Sequence, residues 1–257
     1  LIWNFINQVA REVRKTHPDR YIATLAYRDY AWYPKGMEIE RNVLVGPCLH
    51  TANWWSPAVE SVDVNLYTAW QRKCKGRLQC MWPYECFPME GAINGKFKHF
   101  PGFHGHTIAK QMKQFGKDGV LGIDLCGTAQ YIDGYLTYRL MDDPSQDVDR
   151  MLNEFFKLYY GPAAKPMKKF YLLVEETYMN KANYPANIQS GKVWGHQTKQ
   201  IAWEYLGTQE RMEELASCLE LAKRLAADGP EEQRVLQFEK DVWRHMVLGR
   251  RQARAAQ

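Results

Sequence analysis

Four short apolar runs, interleaved with helical-period stretches, constrain this chain more than any other feature. They cover residues 21–27, 42–46, 78–87 and 119–126. Strands that alternate with helices pair in parallel, because parallel neighbours need a crossover between them. Four such units make either a small open sheet or half of an eight-stranded barrel. An open sheet expects short connections. Here the segments after the strands are long and aromatic, whereas those leading into them are brief, as in His17-Pro18-Asp19-Arg20 and Lys117-Asp118. In barrels the site lies where strands end, on loops of the first kind. The expected fold is therefore α/β: the C-terminal half of a (β/α)8 TIM-type barrel over residues 1–143. An all-helical region follows over 144–257.

The first helix is expected over residues 2–16, with Ile2, Phe5, Ile6, Val9 and Val13 forming its apolar face. The first strand lacks strict alternation, which predicts cover on both faces. A helix is expected from about 63 to 73 and another over 106–116. The third run, 78–87, reads as a buried strand ending in Glu85, a carboxylate among aromatic side chains. After residue 143 the pattern is helical throughout. Asp147 can cap a helix that stops at Gly161-Pro162. Further helices are expected over about 163–180, 197–206, 208–227 and 231–253. The tail's apolar positions, Leu215, Leu219, Leu225, Val235, Phe238 and Val242, need covering, by the barrel or by a second copy in a homodimer.

Parallel strands bring their exit segments to one face. The first exit supplies Arg28, Asp29, Tyr30, Trp32 and Tyr33. The second supplies His50, Asn53, Trp54 and Trp55. Trp82, Tyr84, Glu85 and Phe87 come from the third, followed by His99, His104 and His106; Asp124, Gln130, Tyr131 and Asp133 come from the fourth. Acids, imidazoles, amides and rings then share one basin. A pyranose has apolar C–H faces that lie on aromatic rings and a hydroxyl edge that needs polar partners. Glycoside cleavage normally uses two carboxyl groups, one protonated and one ionised. An aromatic environment can keep one of them protonated.

The candidate catalytic carboxylates are Glu85, Asp124 and Asp29. The candidate substrate contacts are Arg28, His50, Asn53, Trp54, Trp82, Tyr84 and Tyr131. Each also has a plainer reading. Glu85 can be a structural acid paired with a cation. Asp124, inside an apolar run, either faces a ligand or bonds backbone. Asp29 beside Arg28 fits an exposed loop. Of Trp54 and Trp55, one belongs to the core, since adjacent residues do not face the same way.

Composition narrows the alternatives. The net charge is +5, but lysine and arginine are scattered, which argues against nucleic acid as a partner. No apolar stretch is long enough to span a membrane. The 6 cysteines match no zinc or redox spacing, so free thiols are expected, with neither metal nor cofactor. His104-Gly105-His106 lacks a third ligand at a useful spacing.

Three strings carry a family likeness: residues 5–13 (FINQVAREV), 18–27 (PDRYIATLAY) and 155–164 (FFKLYYGPAA). They resemble the bacterial domain of unknown function 4838, over roughly residues 2–180. That family is similar to the barrels of β-hexosaminidases and α-glucuronidases, with helices after the barrel. The resemblance implies that the four strands are the second half of a barrel whose first half lies upstream in the same polypeptide. It also implies that the main acid–base carboxylates, usually on the fourth barrel strand, lie there too. A periplasmic or secreted location follows from the resemblance alone. The expected function is a glycoside-hydrolase-like protein acting on a polysaccharide or glycan. The alternative is a non-catalytic carbohydrate-binding or scaffold module. A third reading is a metal-dependent hydrolase using His99, His104 and His106.

Overall fold

A computed structural model of the chain describes residues 1–128 and 130–255. Its α/β part runs α1 (Ile2–Thr16), β1 (Ile22–Ala26), β2 (Val43–Leu49), α2 (Pro57–Lys73), β3 (Cys80–Pro83), α3 (Met89–Asn94), α4 (Gly105–Lys117), β4 (Gly122–Ile123) and α5 (Tyr131–Asp142). Among the described residues six further α-helices follow, α6 (Val148–Tyr160), α7 (Ala164–Met179), α8 (Ala186–Gln189), α9 (Gln209–Ala226), α10 (Glu232–Phe238) and α11 (Arg244–Arg254), with π-helical segments at Ile201–Leu206 and Glu239–Trp243. Among the described residues no helix is long and apolar enough to cross a membrane.

The four strands form one parallel sheet in the order β1-β2-β3-β4. Ile22 pairs with Val43, Cys48 with Trp82, and Cys80 with Gly122. One face is dry: Val43, Val45, Leu49 and Met81 share a core with Leu66 and Trp70 of α2 and Ile108, Met112 and Phe115 of α4. The other face is only partly covered. Ala23 is exposed and Leu44, Cys80 and Trp82 are half-buried, so β1 is not covered on both sides as expected.

Several elements differ from the sequence expectation for identifiable reasons. The third strand spans only Cys80–Pro83; Leu78 before it is exposed, and Glu85 beyond it keeps just an isolated bridge to Thr128. The fourth shrinks to Gly122–Ile123, with Leu121 and Asp124 exposed. An edge strand has one neighbour, so its ends gain no second ladder. The buried stripe of α1 is Trp3, Asn7 and Ala10, while Ile2 and Phe5 are exposed. Asn7 decides that rotation. Its amide donates to Glu38 O and accepts from Glu40 N, tying the loop before β2 to the helix. Helix α2 starts at Pro57, six residues early, because proline is preorganised for a first turn.

Helix α5 is the element the apolar pattern conceals. Its buried stripe holds Asp133 and Thr137 among Ile132, Leu136 and Leu140, and those polar residues blur the period. Asp147 caps α6 by accepting from Arg150 N at 2.8 Å. In the tail, Leu215, Leu219, Val235 and Phe238 are buried within the chain, Val242 is half-buried and Leu225 stays exposed.

The helical region is fastened to the α/β part by specific contacts. The side chain of Gln197 donates to Phe100 O and accepts from Phe100 N, at 2.9 and 2.8 Å. Trp203 Nε1 donates to Lys98 O at 2.7 Å. Trp55 stacks on Tyr184 with centroids 3.8 Å apart. Replacing Gln197 by Ala strands two buried backbone groups, so unfolding free energy should fall by about 2–4 kcal/mol in a denaturant titration. Gln200→Ala, on the exposed side of the same segment, should change it by less than about 0.5 kcal/mol.

Candidate functional site

The exits of β2 and β3 meet a loop from the helical region. His50, one residue past β2, lies parallel to Tyr84, one residue past β3, with centroids 5.2 Å apart. Trp194 meets the His50 ring edge-on at 5.5 Å, and Phe87 lies 5.2 Å from His196. The result is a basin of five rings. Trp194 and His196 are exposed and His50, Tyr84 and Phe87 are half-buried, so the rings are reachable.

The two imidazoles are held from behind. Asp63, buried on α2, accepts from His50 N and from Trp54 Nε1, and lies 3.5 Å from His50 Nδ1. Its place on the buried face of a helix thus serves the loop after β2. Buried Asn53 contacts His196 Nδ1 at 3.1 Å and accepts from the Tyr178 hydroxyl at 3.3 Å. Trp194 Nε1 donates to His196 Nε2 at 2.9 Å. Although the residue is exposed overall, desolvation of its ring against Asn53 and Phe87, together with the nearby His50 ring, pushes His196 below the usual histidine range. Gly195 makes the loop's approach possible. A Cβ there would sit 2.6 Å from Ser56 Oγ and 3.0 Å from the Trp55 ring.

Arg28 occupies the exit of β1 with a left-handed φ of +47°. Its guanidinium lies 5.1 Å over the Tyr27 ring, and hydrogen bonding to Tyr27 holds it above the usual arginine range. The chain thus brings Arg28, His50, Asn53 and Tyr84 to one side, as a group of strand exits. Trp54 supports it through Asp63, and Trp82 is half-buried on the face it shares with Cys48. Trp55 is core. Asp29 and Asp124 are exposed at the ends of β1 and β4, and Tyr131 is 92% exposed at the start of α5.

Glu85 takes a different position. It is 0% exposed and points at α5, where the Thr137 hydroxyl donates to its Oε2 at 2.8 Å. Among the described residues its other oxygen has no hydrogen-bond partner, nor do the ring nitrogens of His104 or the amide atoms of Gln111, while the Asp133 carboxyl lies by the backbone N–H groups of His104 and Gln130. This is a polar layer inside the helix–sheet interface. Burial pushes Glu85 up to about 8, and burial with the nearby Glu85 charge pushes Asp133 well above the carboxylate range. Burial alone takes His104 down to about 4. The layer is therefore uncharged at neutral pH, apart from partial ionisation of Glu85. Burying unpaired charge would cost more than holding each group in its neutral form, the acids protonated and the imidazole deprotonated.

The three histidines of the hydrolase reading do not gather. His106 is bound to Glu175 at 2.6 Å, and His99 lies 4.5 Å from the His245 ring. Among the described residues, the donor atoms that do converge, within 4.8 Å, belong to Cys86, Glu90 and Cys126. All six thiols are free. Trp194, His196 and Thr137 escaped the sequence reading, which placed Asp133 at the fourth strand exit and not in a buried layer. For the first pair a signal exists in Trp194-Gly195-His196, a ring and an imidazole around a glycine between helices.

A family model described as a domain of unknown function (DUF4838) matches residues 1–172. No curated protein and no solved structure matches the chain.

The buried layer has a pH signature. The folded Glu85 value of about 8 exceeds its ordinary 4.5, so the folded chain keeps a proton that the unfolded chain releases. That contribution is complete below about pH 4.5 and is lost as pH rises through 8. His104 runs oppositely: its contribution is complete above 6.5 and lost as pH falls through 4. The two slopes oppose each other between 4.5 and 6.5. Above 6.5 the acids act without that offset, and His106, raised to about 9 by Glu175, adds loss on the same limb. Stability should therefore fall from pH 6.5 to 8. Glu85→Gln should reduce that fall by about 1–2 kcal/mol, measured by urea unfolding at both pH values.

Proposed function

The chain belongs to the DUF4838 family, and on that premise we propose that it forms a carbohydrate-binding face of a glycoside-hydrolase-like barrel. The observation that carries the reading is the five-ring basin at the strand exits. Its rings suit the C–H faces of a sugar. Two of those rings are the imidazoles of His50 and His196, which with Arg28 offer hydrogen-bonding groups for the hydroxyl edge. Charged or acetamido substituents fit a site that pairs a guanidinium with imidazoles.

The finer fold reading, half of a (β/α)8 barrel, is supported by the sequential parallel order of the strands. It is also supported by the sheet's two outer edges. Ile2, Phe5 and Tyr21 are exposed beside β1, and Leu121, Tyr138 and Met141 beside β4 and α5. Apolar surface at both open edges suits flanking β/α units of one closed barrel. The crossover from β1 to β2 departs from the pattern, holding only the 3-10 turn Arg28–Tyr30.

In the hydrolytic version, the exposed Asp29 and Asp124 are the carboxylates a substrate could touch. Glu85 then supports the site from within, protonated and bonded to Thr137. A specific observation favours the binding-only version as well: the best-placed acid in the sequence, Glu85, is sealed from the basin.

Titration with neutral, uronic-acid and acetamido oligosaccharides, followed by tryptophan fluorescence and calorimetry, tests the proposal. At least one class should bind, and Trp194→Ala should weaken it about tenfold, or 1.4 kcal/mol. Glu85→Gln should leave binding in place. Absence of binding to every class, or unchanged affinity in Trp194→Ala, would reject the basin as a sugar site. Release of reducing sugar that is lost in Asp124→Asn or Asp29→Asn would separate the enzyme from the module.

A further inference from the structure

Cys86, Glu90 and Cys126 stand together at the exits of β3 and β4, away from any role in the ring basin. Cys86 Sγ donates to Glu90 Oε2 at 2.9 Å, and the three donor atoms all lie within 4.8 Å of one another. We propose that these three side chains bind one zinc ion.

The backbone builds the site independently of any ion. Glu90 N donates to Cys86 O at 3.2 Å, closing a helical turn that puts residues 86 and 90 on one side. Cys126 N donates to Pro83 O at 3.3 Å, and the Glu85–Thr128 bridge joins the same two loops just beyond the strands. Gly127 brings them close. Its φ is +67°, and a Cβ there would lie 3.5 Å from Cys86 Cβ. Three ligands from two rigid exits are thus held before a metal arrives.

The donor chemistry selects the ion. Two thiolates and one carboxylate suit zinc; calcium and magnesium prefer all-oxygen shells. Zinc–sulfur bonds of about 2.3 Å and zinc–oxygen bonds of about 2.0–2.2 Å put tetrahedral ligands roughly 3.3–3.8 Å apart. Binding requires the three donor atoms, now within 4.8 Å of one another, to settle into that range. Cys86 is buried, whereas Cys126 and Glu90 are half-buried, so the fourth position faces solvent. Three protein ligands with one open position is the arrangement of reactive rather than purely structural zinc. On binding, each sulfur gives an electron pair to zinc and each thiol proton leaves to buffer. Two protons are released, and nothing is oxidised or reduced.

The chain stripped with chelator under reducing conditions, then titrated with zinc chloride, tests this. One equivalent should be retained after gel filtration, and the thermal midpoint should rise. Cobalt chloride should give a sulfur-to-cobalt charge-transfer band. Cys126→Ser and Glu90→Gln should each weaken zinc binding at least about tenfold, since even residues behind metal ligands cost that much. No retained zinc in the wild-type chain would overturn the proposal. So would an equivalent retained by the Cys86→Ser/Cys126→Ser variant, or a Cys86–Cys126 disulfide formed in preference to zinc in air. Should the cysteine variants fail to fold, unchanged affinity in Glu90→Gln would also overturn it. The readout uses no sugar, so it stands or falls separately from the carbohydrate proposal.

Discussion

Parallel pairing in chain order is the constraint on which this structure depends. Each strand enters beside its predecessor and leaves in the same direction, so every exit reaches the same side. The backbone has no choice once the first pair is registered, because a parallel neighbour must be reached by crossing back over the sheet. That geometry puts His50 beside Tyr84 although they are far apart in sequence. It also puts Cys86 near Cys126. The crossovers lay α2 and α4 on one face, where α5 joins them after β4 and the dry core forms.

A second consequence is the polar layer between the sheet and α4 and α5. Glu85 follows Tyr84, and adjacent residues leaving a strand point to opposite faces. Tyr84 therefore opens to the basin while Glu85 enters the interface. There it meets Thr137, with Asp133 and His104 nearby. A buried acid of this kind destabilises the folded state unless it holds its proton. The layer is tolerated because its members give up charge in opposite ways: acids keep protons and the imidazole refuses one. Beneath an open ring basin lies an interior that is almost neutral near pH 7, and the basin's own polarity comes from Arg28 and the two imidazoles.

The helical region does more than cover apolar surface. Gln197 and Trp203 fix the loop around residues 98–100, and Asn53 is held between Tyr178 and His196. The segment that contributes Trp194 and His196 is thus anchored to the exits it completes. One buried cluster runs from Trp3 to Met246. The strand exits and the tail form a common structure in the described residues.

Much of the scaffold was legible in the sequence, and the reason is local. The apolar runs at 21–27 and 42–46, the Asp147 cap and the stop at Gly161-Pro162 depend on neighbours a few residues away. His50 and Tyr84 could be placed at the basin, because a residue just past a parallel strand has its side of the sheet decided. Helix α5 could not be read, since Asp133 and Thr137 interrupt its apolar stripe. They belong there only because Glu85 lies opposite, which no local window contains. Trp194 and His196 reach the basin across more than a hundred residues. Gly195 permits that approach but does not announce it. The sequence by itself determined that helices alternate with strands, that those strands run parallel and where several helices stop, through periodicity and capping. Only the tertiary structure decided that Glu85 turns inward while Tyr84 turns outward, and that a distant loop supplies two of five rings. Those outcomes are set by packing between surfaces that no short stretch of chain carries alone.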